Sequence, residues 1–232
     1  MAEARDTLVF IPAWNEERNL PAVLVELRKE IPNADVLVVD DGSIDRTADV
    51  AREHGAEVLS FGENRGLRAA VAAGYRYAAE RGYAYCGRLD ADGQHPVGEL
   101  RRLLEIVRAG SADVAVGSRF ATPGGNGFSR DRYESSPARR LGSGLLRRSM
   151  EIVLDLPFHD ATSGMYAVNA RAIPILARPY TSGAPEVEAV LRLHEEGLRI
   201  ERSRSRCASG RRASPGWRAR RRSSSSSRSP GR

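Results

Sequence analysis

Asp90 and Asp92 stand one residue apart at the end of an apolar run, Tyr83 to Leu89, and Gly93, Gln94, His95 and Pro96 follow them. In extended backbone, residues two apart project to the same side, so both carboxylates would share a face. The Gln94 amide oxygen can join them after a turn at Gly93. Oxygen donors of this kind suit a hard divalent cation, because Mg2+ or Mn2+ takes carboxylates and carbonyls and keeps positions for substrate phosphates. An acidic pair at a strand end is also what a solvated turn looks like, so the surrounding elements must decide. Pro96 fits the first turn of a helix.

Those elements alternate between apolar runs of strand length and amphipathic helical segments, the pattern of a largely parallel sheet covered by helices. Strands are expected at Thr7 to Pro12, Ala34 to Val39, Glu57 to Ser60, Tyr83 to Leu89 and Asp113 to Val116. Helices are expected over Asn19 to Glu30, with Asn19 as cap, and over Asp45 to Glu53, Gly66 to Arg81, Val97 to Ala109, Ala138 to Leu156 and Pro185 to Gly197. Residues 121–136, rich in Gly, Pro, Ser and charge, read as a mobile loop. Four strands end in polar residues: Pro12 to Glu16, Asp40 to Ser43, Asp90 to Gln94, and Gly117 to Arg119. In an open α/β sheet, ligands bind beyond the carboxyl ends of the strands, so these turns converge on one crevice. Neither Gly-x-Gly-x-x-Gly nor a P-loop occurs, which argues against dinucleotide and P-loop nucleotide sites.

The charge is unevenly placed. Residues 201–232 hold eleven Arg and one acid, net +10, which leaves residues 1–200 at −4 out of a total of +6. The basic balance therefore belongs to the tail, and specific nucleic-acid binding by the main domain loses its chief support. Cys86 and Cys207 are too few for a disulfide framework or zinc site, which fits a reducing compartment. There is no signal-peptide core and no run of about 18 apolar residues. His54, His95, His159 and His194 read as surface or core residues, and Tyr75, Tyr77, Tyr83 and Tyr85 as packing residues.

Six segments in order, Pro12-Ala13-Trp14-Asn15-Glu16-Glu17, Val39 to Thr47, Asn64-Arg65-Gly66, Asp90 to His95, Gly117 to Phe120 and Asp160 to Gly164, resemble family 2 glycosyltransferases of the GT-A fold. Within these, the chain is most similar to the polyprenyl-phosphate (dolichol-phosphate) mannosyl- and glucosyltransferases. The resemblance spans residues 7–200 and implies an α/β, mostly parallel GT-A sheet flanked by helices in a single domain. It also implies a nucleotide-diphosphate sugar donor, inversion at the anomeric carbon, and Mg2+ or Mn2+ as cofactor. Pro12, Trp14 and Glu16 match the motif bordering the nucleoside, and Val39 and Asp41 its base and ribose pocket. Asp90, Ala91, Asp92 and Gln94 match the metal and diphosphate site, while Arg119 matches a phosphate-facing arginine. Asp160 lies in the acceptor-side motif and is the candidate base, with a turn cap as the alternative. Arg139 and Arg140, with Arg147 and Arg148, flank an apolar helix and are candidates for holding a lipid phosphate at the inner face of the cell membrane. Arg68 stands where relatives often carry glycine, and Met165-Tyr166 where they carry Phe-Arg, either of which would narrow or re-aim the sugar pocket.

Two rival readings stand beside this one: a soluble transferase acting on a saccharide or metabolite hydroxyl, and an inactive GT-A binding module with an RNA-attaching tail. The tail itself, residues 201–232, is expected to be disordered, since Arg, Ser, Gly and Ala cannot bury a core. Residues from Arg202 onward read as the product of a shifted reading frame. One choice of synonymous codons for Glu-Val-Pro-Val-Glu-Met-Arg-Glu-Arg-Ala-Ser-Gly-Glu-Ser, read one base late, spells Arg202 to Ser214 and begins Pro215. The resemblance places a Val-Pro-Val strand at that point, so the last strand and its basic loop are expected to be missing.

Overall fold

The computed structural model describes residues 5–93, 96–117, 164–182 and 185–202. Chain order is β1 (Thr7–Ala13), α1 (Leu20–Glu30), β2 (Asp35–Asp40), α2 (Thr47–Glu53), β3 (Glu57–Ser60), α3 (Leu67–Glu80), β4 (Tyr85–Arg88), α4 (Val97–Arg108) and β5 (Val114–Val116). After residue 163 come β6 (Tyr166–Asn169), α5 (Ile173–Leu176), α6 (Pro185–Glu195) and β7 (Ile200–Arg202). The seven strands order as β3-β2-β1-β4-β6-β5-β7. All pairings are parallel except those of β6, which runs antiparallel to both β4 and β5.

Side-chain alternation along the strands sorts the core into two layers. Val9, Ile11 and Val38 face α1, α2 and α4, through Leu20, Val23, Leu24, Leu27, Ala51, Leu100, Leu103 and Leu104. Leu8, Phe10, Leu37, Val39 and Val168 face α3, α5 and α6, through Ala70, Val71, Tyr75, Ile173, Leu176 and Leu193. The strands are thus covered on both sides and read as continuous apolar runs, as parallel sheets do. Gly74 lets α3 approach β1, since a Cβ there would sit 2.3 Å from the Phe10 ring.

Sequence and structure differ at several points. Asn19 occupies the cap position of α1, but its side chain makes no capping bond and instead donates to Glu16 Oε2 at 2.8 Å. Pro96 is the cap residue of α4, not part of its first turn, and Glu26 of α1 accepts the first amide of that helix, from Val97, at 3.1 Å. The strand β6 and the single-turn α5 have no counterpart in the sequence pattern. A last strand is present, contrary to expectation: β7 pairs with β5 through Ile200, Glu201 and Arg202. The expected loop over 121–136, the helix over 138–156 and residues 203–232 lie outside the described residues.

Candidate active site

Strand order reverses beside β1: β2 and β3 build outward on one side, and the chain then crosses to β4 on the other. A crevice opens at such a switch point, beyond the carboxyl ends of the strands. Pairing of β1 with β4 ends at Phe10, whose carbonyl accepts the Leu89 amide at 3.2 Å. Two residues later Pro12 faces the same way, so its missing amide falls where the strands part and costs no ladder bond.

The crevice is about 320 Å3 and is lined by Pro12 and Ala13 at the end of β1, by Trp14 and Glu16 just after it, and by Asp41 after β2. Asn64, Gly66, Leu67 and Ala70 close it from the start of α3, and Asp90, Ala91 and Asp92 from the end of β4. Seven of the expected site residues therefore meet: Pro12, Trp14, Glu16, Asp41, Asp90, Ala91 and Asp92. Val39 does not join them; it is fully buried in the layer facing α3. Gln94, Arg119, Arg139, Arg140, Arg147, Arg148 and Asp160 lie outside the described residues, as do His95 and His159. Leu67 is a lining residue that sequence reasoning missed, and Asn64 one that it placed in a motif without a role.

Two loops are latched together to form the near wall. Asn15 takes a positive φ of 56°, donates its amide to Ser43 Oγ at 2.9 Å, and accepts the Ile44 amide on Oδ1 at 3.0 Å. Glu16 N–H donates to Thr47 Oγ1 at 2.7 Å, and Arg46 N–H to Glu17 Oε2 at 3.0 Å. Asp45 accepts the amides of Glu17 and Thr47 at 3.2 and 2.9 Å. Burial works to raise its carboxyl, but the Thr47 and Glu17 bonds outweigh it and hold the group below the ordinary value. Gly42 completes the turn at φ 70°; a Cβ there would lie 2.2 Å from the Glu63 carbonyl carbon, so only glycine lets the turn after β2 close on the segment that precedes α3.

Asp41 is buried and ties β2 to α3: its two oxygens accept the amides of Arg65 at 2.7 Å and Gly66 at 2.8 Å. Asp40 braces its own turn and ties it to β3, accepting from Ser43 N at 3.0 Å and from Ser60 Oγ at 2.7 Å. The acidic pair is not held in extended backbone as expected, because β4 stops at Arg88 and residues 91–92 form a turn, with Gly93 at φ 67°. Both carboxylates nevertheless line the crevice. Glu16 and Asp41 share the crevice, but among the described residues no three His, Cys, Asp or Glu side chains are grouped closely enough to hold a metal ion together. Two hard oxygen donors beside open space fit a divalent cation that shares its shell with substrate phosphate, rather than one caged by protein alone.

Arg68 does not enter this crevice. It donates to the Ser182 carbonyl at 2.8 Å and lines a second groove of about 340 Å3 on the other side of α3. Met165 and Tyr166 are core residues, one in each layer.

A mostly parallel sheet with an acid-lined crevice at its switch point is the GT-A arrangement. A solved structure of glucosyl-3-phosphoglycerate synthase from Mycobacterium tuberculosis, in complex with Mn2+, UDP and glucosyl-3-phosphoglycerate, shares the fold with a TM-score of 0.60 at 21% identity, covering 86% of this chain and 69% of that one. The chain belongs to glycosyltransferase family 2, whose model matches residues 8–173. It is 38% identical over 201 residues to undecaprenyl-phosphate mannosyltransferase of Micrococcus luteus, covering 83% of this chain and 79% of the relative. It is 39% identical over 168 residues to polyprenol monophosphomannose synthase of Mycolicibacterium smegmatis, covering 69% of this chain and 60% of that relative's length.

Proposed function

We propose that the chain moves a hexose, mannose or glucose, from a nucleotide-diphosphate sugar to a polyprenyl phosphate, with inversion at the anomeric carbon and with Mg2+ or Mn2+ at the diphosphate. One observation carries this reading: Asp90 and Asp92 meet Trp14, Glu16 and Asp41 in a single crevice, in a chain 38% identical to an undecaprenyl-phosphate mannosyltransferase. A lipid acceptor puts the reaction at a membrane surface, and the proposal places the enzyme on its inner, cytoplasmic face.

Each residue then has a task. Trp14, 54% exposed at the mouth of the crevice, offers a ring face to the base. Asp41 fixes the Arg65 and Gly66 amides, and so the wall that borders the ribose. Asp90 and Asp92, with Gln94 by resemblance, hold the cation; when bound, it offsets the charge that grows on the leaving diphosphate. Arg119 adds fixed positive charge from its own motif. An acceptor phosphate oxygen attacks the anomeric carbon from the face opposite the diphosphate, and the sugar–diphosphate bond breaks as the new one forms. No proton has to be removed, because a phosphate monoester with a second pKa of about 6 is already anionic. Arg139 and Arg140 hold that phosphate. A hydroxyl acceptor would instead need Asp160 as general base.

The test is a panel of mannose and glucose nucleotide sugars offered with Mn2+ to a short polyprenyl phosphate and, separately, to free saccharides. Lipid-phosphate product is expected. Product on saccharides alone would overturn the acceptor assignment in favour of the hydroxyl-directed transferase.

A further inference from the structure

Arg88 ends β4, a strand with sheet neighbours on both sides, and is 3% exposed. Its register partners are Phe10 on β1 and Tyr166 on β6, both in the apolar layer that also holds Cys86, two residues earlier on the same face. Such a position calls for an apolar side chain. Removing a guanidinium from water costs several kcal/mol unless a partner offsets it. The offset comes from the site: Arg88 Nη2 lies 3.5 Å from Asp90 Oδ1, with the two side chains 4% and 20% exposed. The Tyr166 ring, 6.0 Å from the guanidinium carbon, adds a weaker attraction. Asp90 also meets the Gly164 backbone so closely that a Cβ there would lie 1.8 Å from Oδ2. The carboxylate is thus held by a buried cation and by a glycine that leaves it room.

We infer that Arg88 is a positioning residue of the diphosphate site, which fixes the Asp90 carboxylate and places a permanent positive charge beneath the phosphates. The inference rests on the function proposed above. Its consequence is electrostatic. With Arg88 counted, the group Asp90, Asp92 and Arg88 carries a formal charge of −1 instead of −2. A divalent cation alone is then held less tightly, while the diphosphate retains attraction even without the cation. At 3.5 Å and only slightly exposed, the Arg88 charge is poorly screened by solvent.

The experiment compares wild type with Arg88→Met, Arg88→Gln and Arg88→Lys by calorimetry, using Mn2+ alone, and UDP and GDP in EDTA. Arg88→Met suits the apolar layer; Arg88→Gln keeps a donor for Asp90 and decides the matter where Arg88→Met does not fold. The neutral variants are expected to bind Mn2+ about tenfold more tightly than wild type and nucleotide diphosphate in EDTA about tenfold more weakly, each a shift of about 1.4 kcal/mol. Arg88→Lys is expected to restore both toward wild type. Folded neutral variants with wild-type affinities for both probes would overturn the inference and leave the proposed function standing. A wild-type chain that binds neither Mn2+ nor nucleotide diphosphate would overturn both.

Discussion

Asp92 and Asp41 line the same crevice but do different work, and their surroundings separate them. Asp92 is exposed in a turn outside both apolar layers, so Asp92→Asn should leave the melting temperature near wild type. In the proposed reaction the same change removes a charged ligand of the cation that faces the diphosphate, and transfer should fall by about 100-fold or more. A folded Asp92→Asn enzyme with near-native turnover would sink the assignment. Asp41 is buried, and both of its oxygens already serve backbone amides 24 and 25 residues away. That second duty was not legible in the sequence, which shows an acid after a strand but not which distant amides it will meet. Arg88 was hidden for the same reason: it looks like a polar interruption of the run Tyr83 to Leu89 until β1 and β6 enclose it. Trp14, Glu16, Asp90 and Asp92 were legible because each follows directly on a strand whose carboxyl end had to face the crevice.

Helices with a clear period were readable to within a few residues; α1 ends and α4 starts where the apolar pattern put them. Of the four-residue elements β3 was read, but β6 and α5 were not. β6 has four residues and α5 has four, with Pro174 among them, so neither alternation nor a helical stripe could develop. Contact between elements is where stability is most sensitive. Gly74 of α3 lies against the Phe10 ring, which also packs edge-on against Tyr75 at 4.9 Å between centroids. Replacing Gly by Ala in a helix gains about 1 kcal/mol of propensity. Here the added Cβ would overlap the ring at 2.3 Å, and α3 must move off β1. Overpacking costs of about 1–3 kcal/mol should win, so Gly74→Ala should lower the denaturation midpoint. A stabilised variant in urea titration would show that α3 has more freedom than this contact allows.

Across the whole molecule, two carboxylates pin the segments that close the sheet. Asp113 accepts the Arg199 amide at 3.0 Å and Asn169 Nδ2 at 2.9 Å, and pairs with Arg171 at 3.2 Å. Glu188 of α6 accepts the amides of Thr181 and Ser182 and pairs with Arg192. Burial raises both groups, but these bonds outweigh it, leaving Asp113 below its ordinary 3.8 and Glu188 lowered from 4.5 to about 2. Depressed values mean that the stability they supply is complete above the unfolded values and is lost as pH falls through the folded ones. The melting temperature should therefore drop from about pH 4.5 downward, and the drop should be shallower in Asp113→Asn, which starts about 1–3 kcal/mol less stable at neutral pH. Equal pH slopes in the two proteins would rule out the Asp113 contribution. The chain's end carries a separate proposal: the catalytic domain spans residues 1–200, and from Arg202 on the chain is read in a shifted frame. β7 reaches Arg202 in register with Val116, the last residue of β5, and the Val-Pro-Val reading would begin just after that pair. Sequencing the gene over codons 202–215 should give Val-Pro-Val-Glu-Met-Arg in the neighbouring frame, and any other reading there would refute the shift.

In the proposed reaction the acid-lined crevice uses a divalent cation to drive sugar transfer onto a lipid phosphate. The rate at which labelled sugar passes from a nucleotide-diphosphate donor to a short polyprenyl phosphate, in Mn2+ and in EDTA, tests this. Sugar-phospho-polyprenol should accumulate in Mn2+ and stop in EDTA. Equal rates in the two buffers, or no lipid-linked product with any mannose or glucose donor, would contradict it.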